Sequence, residues 1–549
     1  MLYEPSVADV HAACDSLAPP GCTSFAGVFV TISKEEHIRL KCEAAYWRGQ
    51  HQRGLQREAV LKEKLETLQA RVRDLTQRLF GRRSEKGTAD PEREAQSASP
   101  RGPGQQRGGI GHGRTSLAHL PVREQPVDLS AAERCCAKCG LALEELPGSE
   151  DSEVVEIEVQ AYRRRIRRKC YRRQCECEAS PRIVSAPVPA RLIPKGKLGI
   201  SVWVEVLLSK YLYAQPLNRL LQSWATLGLK ISSGTLIGGL KRLAPLLRPV
   251  VQAFQARQLR AGYCHADETG WKVFERIEGK VGYKWFLWVI RTECACVYLI
   301  APGRGAAVPM AYFSQLLVQT ILVCDRYSAY KKFARTIGVL LAFCWAHCRR
   351  DYLELACAYP PLQGWAMDWV ERIGTLYHLN NARLEVREDA VRFAQRDAQL
   401  RTHLQQMHQE CERALADADL HRAARKVLKS LMRHWQGLTV FVEHPEVRMD
   451  NNCVEAALRN EVLGRKAYYG SGSVWAAELA ALSFSVLMTL VHCWQINPRR
   501  WLQEYLRACA EQGGRAPLDL SPFLPWAMTP QRLQTLREPA PYIQPANTS

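Results

Sequence analysis

The sequence predicts a multidomain protein built around an α/β core, with smaller helical and cysteine-containing modules before it. Two nearly continuous apolar runs, 316–324 and 337–343, are typical of buried strands. The first run ends at Asp325, and two more strand-like runs lie between residues 283 and 300. A helical pattern covers residues 360–435. Since α/β folds place functional side chains where apolar strands end, we expect a site beside Asp325.

The composition is that of a globular protein with several domains. The 549 residues are 47% hydrophobic and 24% charged, and domains of about 100–200 residues imply three to four of them. No basic segment followed by an apolar run opens the chain, so we expect a cytoplasmic protein without a membrane partner. The apolar stretch 476–494 is interrupted by Glu478 and His492, which favours a buried helix over a membrane span. The 20 cysteines indicate metal ligands or buried thiols in a reducing compartment.

The positive charge is concentrated in one segment. The chain carries 75 Lys and Arg against 55 Asp and Glu, a net charge of +20. Residues 163–260 alone contain 20 basic and 3 acidic side chains, a net charge of +17. A solvated face that keeps the protein soluble needs no such concentration. We therefore expect a nucleic acid as the partner of this segment, because each neutralised phosphate releases condensed counterions.

The N-terminal region, residues 1–86, contains a helical pattern over 34–80 with a coiled-coil seam. Its apolar positions are spaced 4-3-4-3-4, as in a heptad repeat, at Leu61, Leu65, Leu68, Val72, Leu75 and Leu79. Fewer than three heptads form a marginal coiled coil, so packing against the same chain competes with dimerisation. Residues 87–128, rich in Gly, Ser, Gln and Pro, are predicted to be a flexible linker.

A cysteine pattern resembling a zinc ribbon occupies residues 129–180. Four thiolates suit tetrahedral Zn²⁺ as a structural cofactor, and the expected ligands are Cys136, Cys139, Cys175 and Cys177. Residues 154–159 and 162–171 are predicted to form a hairpin between the two cysteine pairs. Either Cys135 or Cys170 could replace one ligand, and reduced structural cysteines are the alternative interpretation.

Residues 181–262 are predicted to form a helical DNA-binding module. Helical patterns cover 202–213, 216–227 and 233–247, with Ser232 and Ser233 as candidate N-caps. The short connections between them allow a helix-turn-helix arrangement. The third helix would then lie near DNA together with the basic residues Lys230, Lys241 and Arg242.

Acidic residues in three motifs are candidates for a metal site. They lie in HADETGW (265–271), in CDRYSAY (324–330) and in DNNCVEAALR (450–459), which opens a helix. Two aspartates on strands and a glutamate on a helix could hold two divalent ions about 3.5–4 Å apart for phosphodiester chemistry, and Mg²⁺ prefers such oxygen ligands. Spacing alone does not choose Asp267 over Glu268, or Glu455 over Asp450.

Together with these motifs, six further blocks resemble the insertion sequence 66 family of bacterial transposases over nearly the full length of the chain. The further blocks are RLFGRRSEKG (78–87), CAKCG (136–140), RLIPKGKLGISVWVEVLLSKY (191–211), FCWAHCRR (343–350), LGRKAYYGSG (463–472) and LPWAM (524–528). The resemblance implies an RNase H-like catalytic core whose Asp-Asp-Glu triad falls on Asp267, Asp325 and Glu455. It also supports the zinc-finger, helix-turn-helix and leucine-zipper interpretations upstream.

The resemblance divides the rest of the chain into four parts. Residues 263–350 would form the first part of the core, 351–440 a helical insertion, 441–495 the second part of the core with Glu455, and 496–549 a C-terminal element. The implied activity is DNA transposition by strand cleavage and strand transfer, with two Mg²⁺ ions, or Mn²⁺ in their place. The implied partners are the terminal inverted repeats, target DNA, further copies of the chain, and small accessory proteins of the same element.

Several neighbouring residues acquire expected roles from this resemblance. His347 and Arg350, with Arg349, would contact the scissile strand or orient a carboxylate. Asn451 and Asn452 would cap the helix of Glu455, and candidate phosphate contacts are Arg459, Arg465 and Lys466. The chain departs from the family pattern at Arg326, where a small glycine is usual, and at Ala456, where an arginine is usual.

Two other functions fit the same sequence. A catalytically decayed or repurposed DNA-binding protein would bind element ends without cutting them. A structure-specific nuclease on the same fold would cut branched DNA without joining strands.

Overall fold

The computed structural model describes residues 31–80, 159–172, 183–305, 307–313 and 320–538, together with scattered positions between 122 and 174. Two compact units are present, and the first contains one long helix, α1 (Lys34–Phe80). This helix confirms the prediction for residues 34–80. The seam residues of α1 that can be described are exposed, namely Leu61, Leu65, Leu68, Val72 and Leu75.

The cysteine module is described only in part. Cys136, Cys175 and Cys177 lie outside the described residues, whereas Cys139 is an exposed free thiol. The predicted hairpin over 154–159 and 162–171 does not form in the described residues of this stretch, where a strand begins only at Cys170. There β1 (Cys170–Arg172) pairs antiparallel with β2 (Ile183–Ser185).

The composition of the basic segment explains this difference. Residues 163–169 contain six Arg or Lys side chains that are all exposed, so this stretch has no apolar face to bury against a partner strand. The strand that does form pairs with the β-branched residues Ile183 and Val184, and Val184 lies opposite Tyr171.

Three helices follow at the predicted places. They are α2 (Ile200–Leu207), which continues as a π-helical turn through Leu212, α3 (Leu217–Thr226) and α4 (Ser233–Gln258). The Ser232 hydroxyl accepts a hydrogen bond from the Thr235 amide at 3.2 Å, which confirms the predicted N-cap.

Helix α4 runs past its predicted end at residue 247 and contains Pro245 and Pro249. Each proline removes a backbone hydrogen bond from the helix. The buried side chains of Leu243, Val250 and Phe254 keep the helix against its neighbours across both prolines. Tertiary packing therefore overrides the local helix-breaking signal.

A five-stranded mixed sheet lies at the centre of the second unit, and four of its strands, β4 to β7, form near the predicted apolar runs. The strands are β3 (Tyr263–Lys272), β4 (Lys284–Arg291), β5 (Cys296–Ala301), β6 (Ile321–Cys324) and β7 (Leu340–Phe343). Their spatial order is β5-β4-β3-β6-β7. The first three are antiparallel neighbours, while β6 is parallel to β3 and to β7. Helices α5 (Ala307–Phe313), α6 (Ser328–Ile337) and α7 (Trp345–Ala358) connect or follow these strands.

The region 360–435 is helical, as predicted. It contains α8 (Gln363–Glu385), α9 (Ala390–Ala416) and α10 (Arg422–Arg433), followed by the short helices α11 (Trp435–Leu438) and α12 (Val440–Glu443). The fully buried Arg383 of α8 links this helix to α9 and α12. Its guanidinium donates to Asp397 at 2.6 Å and to the carbonyls of Phe441 and Val442, so the buried charge is paired and hydrogen-bonded.

The chain then returns to the sheet through α13 (Asn452–Tyr468) and α14 (Val474–Met488), and ends in α15 (Pro498–Glu511) and α16 (Pro530–Arg537). Helix α14 packs between α4 and β5. Together with its π-helical extension to Cys493, it is long and apolar enough to cross a membrane, yet most of it is buried inside the protein. The prediction of a buried core helix for residues 476–494 is confirmed.

Candidate active site

The central strand β3 carries the HADETGW motif, and its register fixes the position of Asp267. In the parallel pair, His265 lies opposite Val323 of β6. Asp267 and Asp325 each lie two residues further along, so the two aspartates occupy equivalent positions on neighbouring parallel strands. Asp267 lies within β3, whereas Asp325 follows the last residue of β6. Parallel pairing therefore brings together two carboxylates that are 58 positions apart in the sequence.

Backbone amides hold one oxygen of each aspartate. Asp267 Oδ1 accepts a hydrogen bond from the Glu268 amide at 2.8 Å, and Asp325 Oδ1 accepts one from the Tyr327 amide at 2.9 Å. Both bonds are local, and the second oxygen of each carboxylate has no hydrogen bond within the described part of the chain.

Glu455 lies in the first turn of α13, beside a histidine and an arginine of α7. Its Oε1 is 3.7 Å from His347 Nε2, and its Oε2 is 3.6 Å from Arg350 Nη2. Burial lowers the pKa of His347, and the negative charge of Glu455 opposes this only in part. The imidazole is therefore neutral at neutral pH. The predicted residues His347 and Arg350 are thus brought to the predicted glutamate.

Asn451 joins the helix of Glu455 to the strand of Asp267. Its Nδ2 donates to the Ala266 carbonyl at 2.9 Å, and its Oδ1 is 3.0 Å from His265 Nδ1. Since Nδ2 is the donor to Ala266, Oδ1 is an acceptor and the proton of the neutral His265 lies on Nδ1. Burial lowers the pKa of His265 to about 4, which keeps the ring neutral. We call this pair of contacts the Asn451 clasp.

The predicted helix-capping role of Asn451 is wrong, because no side-chain cap is formed at this position. The carboxylate of Asp450 takes that role by accepting a hydrogen bond from the Asn452 amide at 3.1 Å. The Asn451 side chain is fully buried and bonds to β3 instead, while its backbone carbonyl accepts from the Glu455 amide at 3.2 Å.

Asp267 and its neighbour Glu268 have different surroundings in the structure. The Glu268 side chain is buried and forms an ion pair with Arg304 at 2.5 Å. It also accepts a hydrogen bond from the Tyr330 hydroxyl at 2.7 Å. The Arg304 guanidinium in turn lies 3.9 Å from the ring centroid of Tyr327, two residues after Asp325. Glu268 is therefore fully occupied in supporting the segment that follows the second aspartate.

Two further basic residues have structural partners. Arg326 donates to Asp351 at 2.5 Å and to Ser430 of α10 at 3.2 Å. Arg465 donates to the Thr269 hydroxyl and the Gly270 carbonyl of β3. The expected phosphate contact by Arg465 is thus replaced by a bond between α13 and β3.

The three carboxylates lie within electrostatic reach of one another. Burial raises the pKa of Asp267 to about 7, and the negative charges of Glu268, Asp325 and Glu455 also raise it. Glu455 Oε1 is buried and has no hydrogen-bond partner among the described residues. In the described part of the chain, no three His, Cys, Asp or Glu side chains are arranged to hold a metal ion as they stand. The site therefore carries excess negative charge that a cation would relieve.

Comparison with known proteins decides the family. A family model described as the IS66 family of transposases matches residues 195–479, more than half of the chain and all three carboxylates. The chain belongs to the IS66 transposase family. Membership gives it a role in transposition, DNA as its partner, and a place among nuclease-type enzymes.

Two relatives from Sinorhizobium fredii (strain NBRC 101917 / NGR234) are similar to this family member. The uncharacterized protein y4jD is 27% identical over 429 residues, covering 74% of this chain and 80% of the relative. The uncharacterized protein y4hP is 24% identical over 371 residues, covering 64% of this chain and 65% of the relative. Both alignments are consistent with the family assignment.

The raised pKa of Asp267 leads to a stability prediction for the metal-free protein. The carboxyl is protonated more readily in the folded than in the unfolded chain, where its pKa is near 3.8. Its contribution to the free energy of unfolding is therefore present below about pH 4 and is lost as the pH rises to about 7. Asp267→Asn has no carboxyl to titrate at this position. The free energy of unfolding of the variant, relative to the wild type, should therefore rise by up to about 4 kcal/mol between these pH values.

Urea unfolding in EDTA at pH 5, 6, 7 and 8 measures this difference. Asp389→Asn, an exposed N-cap carboxylate of α9, is the control and should show no such gain with rising pH. A stability difference between Asp267→Asn and wild type that stayed constant over this range would contradict the assigned electrostatics.

Proposed function

We propose that this family member is an Asp-Asp-Glu transposase that cuts and joins DNA strands on an RNase H-like core. One observation carries the proposal: Asp267 and Asp325 occupy equivalent positions on adjacent parallel strands, and the Asn451 clasp ties the helix of Glu455 to the first of these strands. The strand order β5-β4-β3-β6-β7, three antiparallel strands followed by two parallel ones, supports the proposed fold.

The three carboxylates fit divalent cations. Their oxygens are the ligands that Mg²⁺ prefers, with Mn²⁺ as its usual substitute. The unpartnered Glu455 Oε1 and the raised pKa of Asp267 both indicate a site short of positive charge. Asp267, Asp325 and Glu455 would hold two ions. When bound, two such ions supply Lewis-acid activation of the attacking oxygen and charge stabilisation of the leaving oxygen.

The residues of the chain have separate tasks in the proposed reaction. Arg350 lies 3.6 Å from Glu455 with a partly exposed guanidinium, so it can orient that carboxylate and face a phosphate. Neutral His347 contacts the other oxygen of Glu455. Water attacks the phosphodiester at the transposon end, and the P–O bond breaks to release a 3′-OH. That hydroxyl then attacks a target phosphodiester, forming one P–O bond as another breaks.

The basic segment upstream is proposed to bind the terminal inverted repeats. The exposed Arg and Lys side chains of 163–172 and of the α3–α4 region, including Lys230, Lys241 and Arg242, support this assignment. The proposed module of residues 129–180 would use structural Zn²⁺, bound by Cys136, Cys139, Cys175 and Cys177. Target DNA and small accessory proteins of the same element complete the proposed partners.

The exposed seam of α1 leads to a prediction about assembly. Leu65 and Val72 are 57% and 62% exposed, respectively, although they occupy core positions of a heptad pattern. We expect the chain to form a dimer through this seam, which would place two active sites on paired DNA ends. Leu65→Asp with Val72→Asp should yield a monomer in light scattering coupled to gel filtration. Glu58→Gln with Lys62→Gln on the same helix, a salt-bridged surface pair, should remain dimeric. A monomeric wild type, or a dimeric double aspartate variant, would contradict the assignment.

Cleavage of a duplex that contains the element end tests the proposed function. The wild type should nick the end with Mg²⁺ and join the released 3′-OH to a second duplex, and it should do neither in EDTA. Binding without cleavage would support the alternative of a decayed DNA-binding protein. Cleavage of branched DNA without joining would support the structure-specific nuclease.

A further inference from the structure

Helix α10 of the helical insertion has one basic and one apolar face. It contains five Arg or Lys residues and no acidic residue. Its buried face consists of Ala424, Leu428 and Leu431. The exposed face carries cations at a 4-3-4 spacing, which places them in one row along a helix; we call Arg422, Lys426, Lys429 and Arg433 the basic stripe.

The basic stripe differs from the other charged residues around it. Arg425, the remaining cation of α10, turns to the backbone and donates to the carbonyls of Leu415 and Asp417. On the neighbouring helix α9, Arg392 and Arg413 form ion pairs with acidic residues three positions away. Among the described residues, no carboxylate pairs with Lys426, Lys429 or Arg433 of the stripe. A row of three cations without carboxylate partners, as at these three positions, is a surface for a polyanion.

The C-terminal end of α10 lies beside the second catalytic aspartate. Ser430 accepts a hydrogen bond from Arg326, the residue that follows Asp325, at 3.2 Å. His434, directly after the helix, contacts Lys331 of α6 at 2.7 Å between Nε2 and Nζ. Burial lowers the pKa of Lys331, and the positive charges of Arg326 and Arg433 lower it further, so Lys331 lies within electrostatic reach of both arginines. Basic side chains therefore extend from Arg433 of the stripe to Arg326, the residue that follows Asp325.

The dimensions and composition of the stripe favour duplex DNA. Lys426 to Arg433 spans about 10 Å along the helix, which is about the axial rise of three successive phosphates of one strand of a duplex, at about 3.4 Å each along the duplex axis. The stripe contains only Lys and Arg, without the aromatic side chains on which the bases of single strands stack. Its contacts would thus be to the phosphate backbone, independent of sequence.

We propose that the basic stripe of α10 binds the phosphate backbone of the duplex DNA that leads away from Asp325. The proposal rests on the proposed function, because it takes DNA to be held at Asp325. It gives the helical insertion a substrate-binding task in addition to the basic segment 163–260. Residues 351–549 contain 22 basic and 22 acidic side chains. The net charge of this part of the chain is therefore zero and gives no indication of the stripe.

The salt dependence of DNA binding tests the stripe. The variant is Lys426→Gln/Lys429→Gln/Arg433→Gln, and the control is Arg392→Gln/Arg396→Gln/Arg413→Gln, which removes three cations of α9 that have polar partners. Binding of the full chain to a fluorescent end-containing duplex is measured by anisotropy in EDTA at several salt concentrations. We expect the stripe variant to reduce the slope of log K against log[salt] by about 2–3. The control should retain the wild-type slope within about 0.5.

The outcomes separate the stripe from the proposed function. The proposed role of the stripe is wrong if the stripe variant keeps the wild-type slope, or if the control loses as much slope as the stripe variant. Neither result affects the cleavage of the element end by the wild type. A wild type that binds but does not cut removes the proposed reaction, although a reduced slope in the variant would still support the stripe as a DNA contact. Thermal unfolding of both variants should remain within about 2 °C of the wild type, because all six positions are exposed.

Discussion

Asp267→Asn, Asp325→Asn and Glu455→Gln should each reduce Mg²⁺-dependent cleavage by about a thousandfold or more and leave the affinity for the DNA end within about twofold. Each substitution replaces a charged ligand by a neutral amide of nearly the same shape. The loss falls on the chemical step, because the proposed DNA contacts lie on other residues. The effects should not add, since the three side chains serve one centre.

Single-turnover cleavage and anisotropy on the same duplex measure the two quantities. Asp389→Asn and Glu443→Gln are matched controls, because they make the same chemical change at exposed positions outside the candidate active site. These controls should cut at the wild-type rate. If one of the three active-site variants cuts DNA at the wild-type rate, the substituted residue is not part of the proposed catalytic centre.

Asn451→Ala should reduce the rate of cleavage by about a hundredfold, because it breaks the Asn451 clasp. This is the second-largest effect that we expect. The substitution leaves His265 Nδ1 and the Ala266 carbonyl without their buried partner, at a cost of about 1–3 kcal/mol for each. The helix of Glu455 is then no longer tied to the strand of Asp267. We therefore expect a higher Mg²⁺ concentration for half-maximal cleavage and weaker Mn²⁺ binding by electron paramagnetic resonance.

The control separates positioning from general stability. Thr489→Val removes a buried hydroxyl that accepts from the Cys296 amide at 2.9 Å, on the edge strand β5, two strands away from β3. It should lower the melting temperature without changing the Mg²⁺ dependence. His265→Phe keeps a ring but loses the donor to Asn451, and it provides a milder test if Asn451→Ala does not fold. Unchanged Mg²⁺ and Mn²⁺ responses in both clasp variants would contradict the positioning role.

The sequence located the strands and the helical insertion because their signals are local. Apolar runs mark β4 to β7, and the 4–8 residue lengths are those of strands. The candidate carboxylates followed from motifs on those elements. The structure then distinguishes Asp267 from Glu268, since successive residues of a strand point to opposite faces and Glu268 is buried against Arg304.

The features that the sequence did not indicate depend on distant contacts. A helix-start asparagine suggests an N-cap, whereas the Asn451 clasp joins residues 185 and 186 positions apart. The pairing of β1 with β2 likewise depends on which apolar segment is free to meet Tyr171. The basic stripe of α10 was hidden because acidic residues elsewhere in 351–549 cancel its charge in any sum along the chain. The stripe is recognised only when the exposed face of α10 is known, because its cations lie in one row on that face.

Anomalous X-ray scattering from Mn²⁺ in crystals of the transposase with its DNA end tests the central claim most directly. Two Mn²⁺ peaks should lie among the carboxylates of Asp267, Asp325 and Glu455, close to the scissile phosphate. The same crystals of Asp267→Asn should lose at least one peak. Mn²⁺ bound elsewhere, with these three carboxylates free of metal, would contradict the proposed centre.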